Sequence, residues 1–393
     1  MADHSHIQTQ LHTLLTAFTQ QEGSDLFITQ GSPIAMKKDG LLVTITQDPL
    51  NSEQAQLLTL GMMSTQQQQS FLQTKESNFA YRLPDGQRFR VNAFFQQSHI
   101  GCVIRRIRSD IPALETLNLP TILTDLIQQK RGLILFVGAT GSGKSTSLAS
   151  LISYRNQTSQ GHIITIEDPI EFVHPHGKCL VTQREIGLDT DSYEDALQNT
   201  LRQAPDVILI GEIRSQETMA YALNFAETGH LCLSTLHANN ADQAIERIVN
   251  FFPEARRPQL LMDLSLNLNA IVSQRLLPKQ GGGRIAAVEV LVNTPRIADL
   301  IFQGQVSDIK DAMKQSAEPG MQSFDQALFE LYEQGEISHE DALRNADSLN
   351  DLRIRLKLES ERFKSEKNNA LEDSEHQAEV SLNLKTGTQA QET

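Results

Sequence analysis

The spacing of hydrophobic and polar positions changes twice along this chain. Residues 1–107 mix helical and alternating patterns: Leu11 to Phe18 predicts a helix, whereas Phe79–Arg82 and Arg88–Phe95 alternate as half-buried strands do. Turn signals at Lys38-Asp39-Gly40 and Pro84-Asp85-Gly86 bound these stretches, and the pattern is that of a small α+β domain. A proline-punctuated connector, from Ser109 through Pro112 to Leu119-Pro120, then marks a domain boundary.

Beyond the connector the apolar residues gather into short unbroken runs separated by helix-length segments. The runs are Leu133–Val137, Ile163–Ile166, Val207–Ile210 and Leu231–Leu236, with a weaker one at Ala286–Leu291. Continuous β-branched runs alternating with helices predict an α/β domain whose parallel sheet is covered on both faces. From 295 to 357 the spacing becomes helical, at Phe324, Leu328 and Leu331 and again at Leu349, Leu352 and Leu356. After Glu359 large apolar residues almost vanish, so that segment cannot offset the entropy of ordering and is expected to be a disordered polar tail. The expected organisation is an α+β domain over 1–107, a linker over 108–120, an α/β domain with C-terminal helices over 121–358, and a tail over 359–393.

Charge and composition narrow the functions this organisation can serve. The 393 residues carry a formal charge of −14, which disfavours unspecific grip on nucleic acid or anionic lipid. Tryptophan is absent and aromatics make up 5%, a poor endowment for stacking on single-stranded nucleic acid. Cys102, Cys179 and Cys232 are far apart and odd in number, which fits a reducing compartment rather than a disulfide framework. Neither an export signal nor an apolar run of membrane-spanning length is present, so a soluble cytoplasmic protein is expected.

The sharpest chemical signal is Gly138, Ala139, Thr140, Gly141, Ser142, Gly143, Lys144, Ser145 and Thr146, a full G-x-x-x-x-G-K-S match between a predicted strand and a predicted helix over Thr146–Arg155. Glycines in such a loop let successive backbone amides turn inward on phosphates at a helix N-terminus. Lys144 then bridges β- and γ-phosphate oxygens, and the Ser145 hydroxyl joins the Mg²⁺ shell. The expected cofactors are ATP and Mg²⁺.

Polar groups follow the other apolar runs: Glu167-Asp168, Gly211-Glu212 and His237. In a parallel sheet these ends share the edge on which ligands bind. Asp206 precedes its strand and Glu212 follows it, which puts Glu212 near the phosphates, suited to polarise attacking water or to hold Mg²⁺ through a water; Glu167 competes for the base role. His230 and His237, seven apart around one strand, point to opposite faces and make poor joint metal ligands; His237 is either a strand-end loop residue or a γ-phosphate sensor. His174, His176 and Cys179 lack a fourth ligand, and the Pro and Gly among them predict a surface loop. Arg82, Arg88, Arg90, Arg105 and Arg106 concentrate positive charge in the first domain, either as a solvated strand face or as arginine fingers for a neighbouring subunit's nucleotide.

Taken together these residues resemble the secretion-superfamily ATPases, and within them the PilT/PilU type of type IV pilus retraction motor. Gly138–Ser145 is similar to the family's Walker A, Ile164–Phe172 to its Asp box, Asp206–Arg214 to its Walker B and Thr228–Asn240 to its His box; Ser24–Leu26, Arg88–Asn92 and Ile104–Arg106 also look like family segments. The resemblance implies a PAS-like N-terminal domain, a RecA-like P-loop ATPase domain and Mg-dependent ATP hydrolysis in a homo-hexamer. It implies docking on an inner-membrane platform protein at the cytoplasmic base of the pilus machine, peripheral to the membrane through partners only, with no nucleic acid bound. By the same resemblance Glu212 is the Walker B glutamate, Glu167 the Asp-box acid, His230 and His237 the His-box residues, and Arg90, Arg105 and Arg106 the candidates for action in trans. The zinc module typical of assembly ATPases is missing, which favours retraction. The family's retraction helix, A-I-R-N-L-I-R-E, appears only as Arg296–Gln303, which is nearer to the PilU branch, an accessory motor working with a PilT-type ATPase. The alternatives are a main PilT-type motor or a related secretion or DNA-translocation ATPase.

Overall fold

In a computed structural model the described residues are 2–38, 41–107, 110–316 and 318–365. The chain forms two compact units, Met1–Pro112 with Ile152–Glu212, and Ala113–Leu151 with Ile213–Thr393. The cut after Pro112 falls inside the connector at 108–120; the cuts after Leu151 and Glu212 fall inside 121–358.

The strands, in chain order, are β1 (Asp25–Ile28), β2 (Ala35–Lys38), β3 (Leu41–Thr44), β4 (Glu76–Arg82), β5 (Arg88–Gln96), β6 (His99–Ile107), β7 (Gly132–Val137), β8 (Gly161–Glu167), β9 (Cys179–Glu185), β10 (Val207–Ile210), β11 (Leu231–Leu236), β12 (Leu268–Pro278) and β13 (Arg284–Val292).

In the first unit an antiparallel sheet has the order β3-β2-β1-β6-β5-β4. The helix predicted over Leu11–Phe18 runs over Ala2–Gln20, and its buried Leu11, Leu15 and Phe18 meet Leu26, Phe89 and Ile104 from the sheet. Its first turns are polar, so apolar spacing alone shortened it. Helices Ser52–Leu60 and Thr65–Thr74 start where Asn51 with Gln54, and Ser64 with Gln67, form reciprocal capping boxes. The turn expected at Lys38–Gly40 lies partly outside the described residues. The same unit holds three parallel strands, β10-β8-β9. β9 was not anticipated, because Thr182, Gln183, Arg184 and Glu185 break its apolar pattern.

In the second unit the order is β13-β12-β7-β11. β11 and β12 flank β7 in parallel, whereas β13 returns antiparallel to β12. The run at Ala286–Leu291, expected among parallel strands, is therefore the second arm of an antiparallel pair. Its partner β12 escaped notice because Ser273, Gln274 and Arg275 interrupt it. The C-terminal helices Phe324–Glu333 and Leu349–Glu359 bury Phe324, Leu328, Leu331, Leu352 and Leu356 against Leu277, Ile285 and Ala287. Residues 360–365, expected in the polar tail, belong to this packing: Ser360 is fully buried, Phe363 packs on the cluster, and Arg362 lies over the Tyr332 ring at 4.5 Å. The rest of the expected tail, 366–393, lies outside the described residues. Among the described residues no helix is long and apolar enough to cross a membrane.

Candidate nucleotide-binding site

Every residue of β7 is buried, so the chain leaves the sheet abruptly at Val137 and must turn against its neighbours. A Cβ at Gly138 would lie 2.5 Å from both Gln274 O and Ser142 Oγ, and one at Gly143, where φ is +92°, would lie 2.8 Å from Gln274 Nε2. Only glycine fits this loop as it lies on β12. The helix Lys144–Thr158 follows, slightly longer at both ends than Thr146–Arg155. Lys144 is buried, and its Nζ donates to Gly138 O at 2.7 Å and Ala139 O at 3.0 Å. Ser147 Oγ donates to Gln274 Oε1 at 2.9 Å, which pins the helix start to β12. Among the described residues, Ser142 Oγ is buried with no hydrogen-bond partner. A cation, an orphan hydroxyl and the positive end of a helix converge on one loop, and this donor set suits a polyphosphate. Ser145 and Thr146, at the first turn of the helix, are half-buried.

β11 pairs with β7 from Leu231 opposite Gly132 to Leu236 opposite Val137. His237 therefore emerges level with Gly138. His237, Asn239, Gln243 and Arg247 share with Gly138 and Ala139 the lining of a cavity of about 700 Å³. A second cavity, about 330 Å³, is lined by Thr140, Gly141, Ser142, Gln274, Arg275 and Arg284. His230 goes elsewhere. It precedes β11, its carbonyl accepts from Gly132 N at 3.1 Å, and its Nδ1 lies 3.2 Å from Thr228 Oγ1. A six-residue strand separates it from the loop, about 20 Å at 3.3 Å per residue. Within its own chain His230 thus lies at the other end of β11 from the phosphate loop.

The carboxylates come together in the first unit. β8 and β10 are parallel and in register from Ile163 opposite Val207 to Ile166 opposite Ile210, so Glu167 and Glu212 leave at the same edge. Gly211 N donates to Ile166 O at 2.8 Å, and a Cβ at Gly211 would sit 3.2 Å from Glu167 Cα. Asp206 is at the other end, accepting from His162 N. Glu167 Oε1 accepts from Thr165 Oγ1 at 2.6 Å and Gln183 Nε2 at 3.3 Å. Gln183 Oε1 in turn accepts from His174 N, which can only donate, so the amide must present its NH₂ to Glu167. Burial pushes the Glu167 carboxyl up to about 7 against these donors. Half-ionised near neutrality, it can take or give a proton. His174, expected on a surface loop, is buried, and burial lowers it to about 4.

The arginines divide. Arg90 and Arg105 are cross-strand neighbours on β5 and β6. Arg105 Nε donates to Asp25 Oδ1 at 2.7 Å while its side chain stays 68% exposed, and Arg106 reaches Thr19 O at 3.3 Å. Glu185 is pushed up by burial and drawn back by Ile170 N, Arg90 and Arg88.

Gln274, Arg275, Gln183, Thr165 and Glu289 escaped the sequence reading. A usable sequence signal existed for one of them: Glu289 interrupts an otherwise apolar run, and the structure buries it at 1% exposure, as it does Gln274 at 3%.

Residues 1–282 match the family model described as Type II/IV secretion system protein. The type IV pilus ATPase PilU of Pseudomonas aeruginosa is 60% identical over 88% of this chain and 91% of its own. The retraction ATPase PilT of the same organism is 42% identical over 85% of this chain and 97% of its own. Among solved structures, the pilus retraction motor PilT with bound ADP superposes with a TM-score of 0.81 at 40% identity, covering 87% of this chain and 98% of that one. The Legionella pneumophila ATPase DotB superposes at 0.70 and 30% identity, over 84% and 92% of the two chains. This chain belongs to the type II/IV secretion system protein family, in its PilT/PilU branch of pilus ATPases.

Proposed function

We propose that the protein is a Mg-dependent, ATP-hydrolysing hexameric motor for type IV pilus retraction, of the PilU kind, working beside a PilT-type ring on an inner-membrane platform protein at the cytoplasmic base of the pilus machine. The loop 138–146 carries the reading: glycines pressed on β12, a buried lysine and an orphan serine hydroxyl form a polyphosphate cradle. In it Lys144 neutralises β- and γ-phosphate charge and Ser145 supplies a Mg²⁺ ligand; the bound ion would draw charge from the transferred phosphoryl oxygens. Glu212 orients attacking water, Glu167 takes or returns the proton, and His237 lies beside the loop to read the γ-phosphate. Arg90 and Arg105 serve an adjacent subunit, for which Arg105's exposure leaves it accessible. The antiparallel N-terminal sheet is read as PAS-like and the P-loop domain with its C-terminal helices as RecA-like.

The test is ATP turnover and pilus display in paired variants. Lys144→Ala removes nucleotide binding, whereas Glu212→Ala preserves binding and stops turnover. In cells Glu212→Ala leaves surface pili abundant and twitching poor. Bald cells would instead mean an assembly motor, and normal turnover by Glu212→Ala would transfer the water-orienting role to Glu167.

A further inference from the structure

His237, Ala238 and Asn239 line the cavity beside the P-loop, and the chain is fastened at three successive residues from Asn239 to Ala241. Asn239 O accepts from Arg275 Nη2 at 3.3 Å, Asn240 Nδ2 donates to Asp347 Oδ2 at 3.3 Å, and Ala241 N donates to Glu289 Oε1 at 2.8 Å. Two of the three fastenings meet at Asp347. Its Oδ1 accepts from Arg275 Nη2 at 2.6 Å and its Oδ2 from Lys310 Nζ at 2.7 Å. Its own N–H donates to Asp325 Oδ1 at 2.8 Å, and Arg275 Nη1 donates to Asn345 O at 2.5 Å. The Arg275 guanidinium also stacks 3.8 Å from the Phe324 ring centre.

From this arrangement we infer that Asp347, acting through Arg275 and Asn240, is a positioning residue for ATP hydrolysis: it holds the His237–Asn240 wall of the nucleotide cavity against the C-terminal helices. The inference rests on the ATPase reading above. Its physical basis is leverage. The wall joins β11 to the helix Ala241–Phe251, which Asn240 caps, and between Leu236 and that cap it belongs to no strand or helix. Beyond the cap it is held by a charged cluster that is largely shielded from solvent, with side chains of Asp347 13% and Arg275 23% exposed, where charge-assisted bonds are least screened. Arg275 also lines the smaller cavity beside Ser142, so one side chain touches both the wall and the loop's surroundings. Asp325, which accepts from Asp347 N, carries the hold to the helix Phe324–Glu333.

Lys310 provides the internal control. Its ion pair with Asp347, 2.7 Å against 2.6 Å for Arg275, is comparable, and its further charged neighbours, Asp242 at 4.0 Å and Glu289, also lie outside the wall. The experiment compares full-length wild type, Asp347→Asn, Arg275→Gln and Lys310→Met for kcat and KM of ATP hydrolysis, binding of a fluorescent ATP analogue, and Tm. Asp347→Asn and Arg275→Gln are expected to lower kcat about tenfold, as small misplacements of catalytic walls do, with analogue Kd within about twofold. Lys310→Met is expected to keep kcat within about twofold while losing a comparable amount of Tm. An equal fall of kcat in all three variants, or an unchanged kcat in Asp347→Asn, overturns the assignment and leaves the cluster a plain staple. A wild type that binds the analogue and does not turn ATP over refutes the ATPase reading instead. Should Asp347→Asn not fold, Arg275→Gln against Lys310→Met decides.

Discussion

Replacing Thr165 by valine isolates what one hydrogen-bond donor contributes to the ionisation of Glu167. Thr165 and Glu167 lie two apart on β8 and so share a face, and Thr165 is fully buried, which makes valine a close steric match. The substitution deletes the 2.6 Å donor to Glu167 Oε1 and leaves Gln183 and the Glu171 N–H as donors. The charged neighbours are unchanged: Glu171, which raises the carboxyl, Asp168 next in sequence, and Glu212 at the end of the adjoining strand. A hydrogen bond to a charged group is worth about 1.5–3 kcal/mol, which is about one to two pH units. Starting from about 7 and taking the smaller figure, the carboxyl moves to about 8. If the carboxylate is the working form, turnover at pH 7 falls about fivefold, from about half to about a tenth ionised, and nearly recovers by about pH 9. The assay is kcat at saturating Mg-ATP from about pH 5.5 to 9.5 for wild type, Thr165→Val and Glu167→Gln, the last expected to lose the acid limb altogether. A Thr165→Val profile reduced by one factor at every pH would refute the ionisation argument, because a distortion of geometry does not titrate.

Other outcomes follow from single contacts. Gly143→Ala is expected to abolish binding of the ATP analogue while leaving far-ultraviolet circular dichroism intact, since the added methyl meets Gln274 at 2.8 Å and the backbone is left-handed there; retained affinity would show that the loop relaxes away from β12. Glu289, pushed up to about 7 by burial, binds more protons folded than unfolded, where its ordinary value is 4.5. Wild-type stability should therefore drop as pH rises between those values and level off above, by on the order of 3 kcal/mol for this group. Glu289→Gln, whose amide oxygen can still accept from Ala241 N, should flatten that slope in urea melts at successive pH values; an unchanged slope would place the ionisation elsewhere.

What could be read without the structure was whatever burial writes into consecutive residues. β7 and β10 are buried at every residue and β8 and β11 over most of their length, so their sequences carry largely apolar runs whose ends follow from topology. β9 and β12 were opaque because their chemistry occupies their strand positions: Gln183 serves Glu167, and Gln274 and Arg275 serve the loop and its wall. Polar residues placed for function erase the pattern that would have revealed the strand. His230 and His237 are separated for another reason. Proximity in a motif says nothing about which edge of a sheet a residue occupies, and a strand between two histidines carries them to opposite edges. The tail boundary failed at 360–365 because Arg362 is charged, yet it donates to Tyr332 O and Ile337 O and covers an aromatic ring.

The bond from Asn240 to Asp347 spans 107 residues of sequence. During synthesis the loop at 138–146 and the strands beside it emerge long before the aspartate that braces their outer wall. A chain halted ahead of residue 347 would lack the bracing behind 237–240, so that side of the loop's surroundings is completed only when the C-terminal helices are in place.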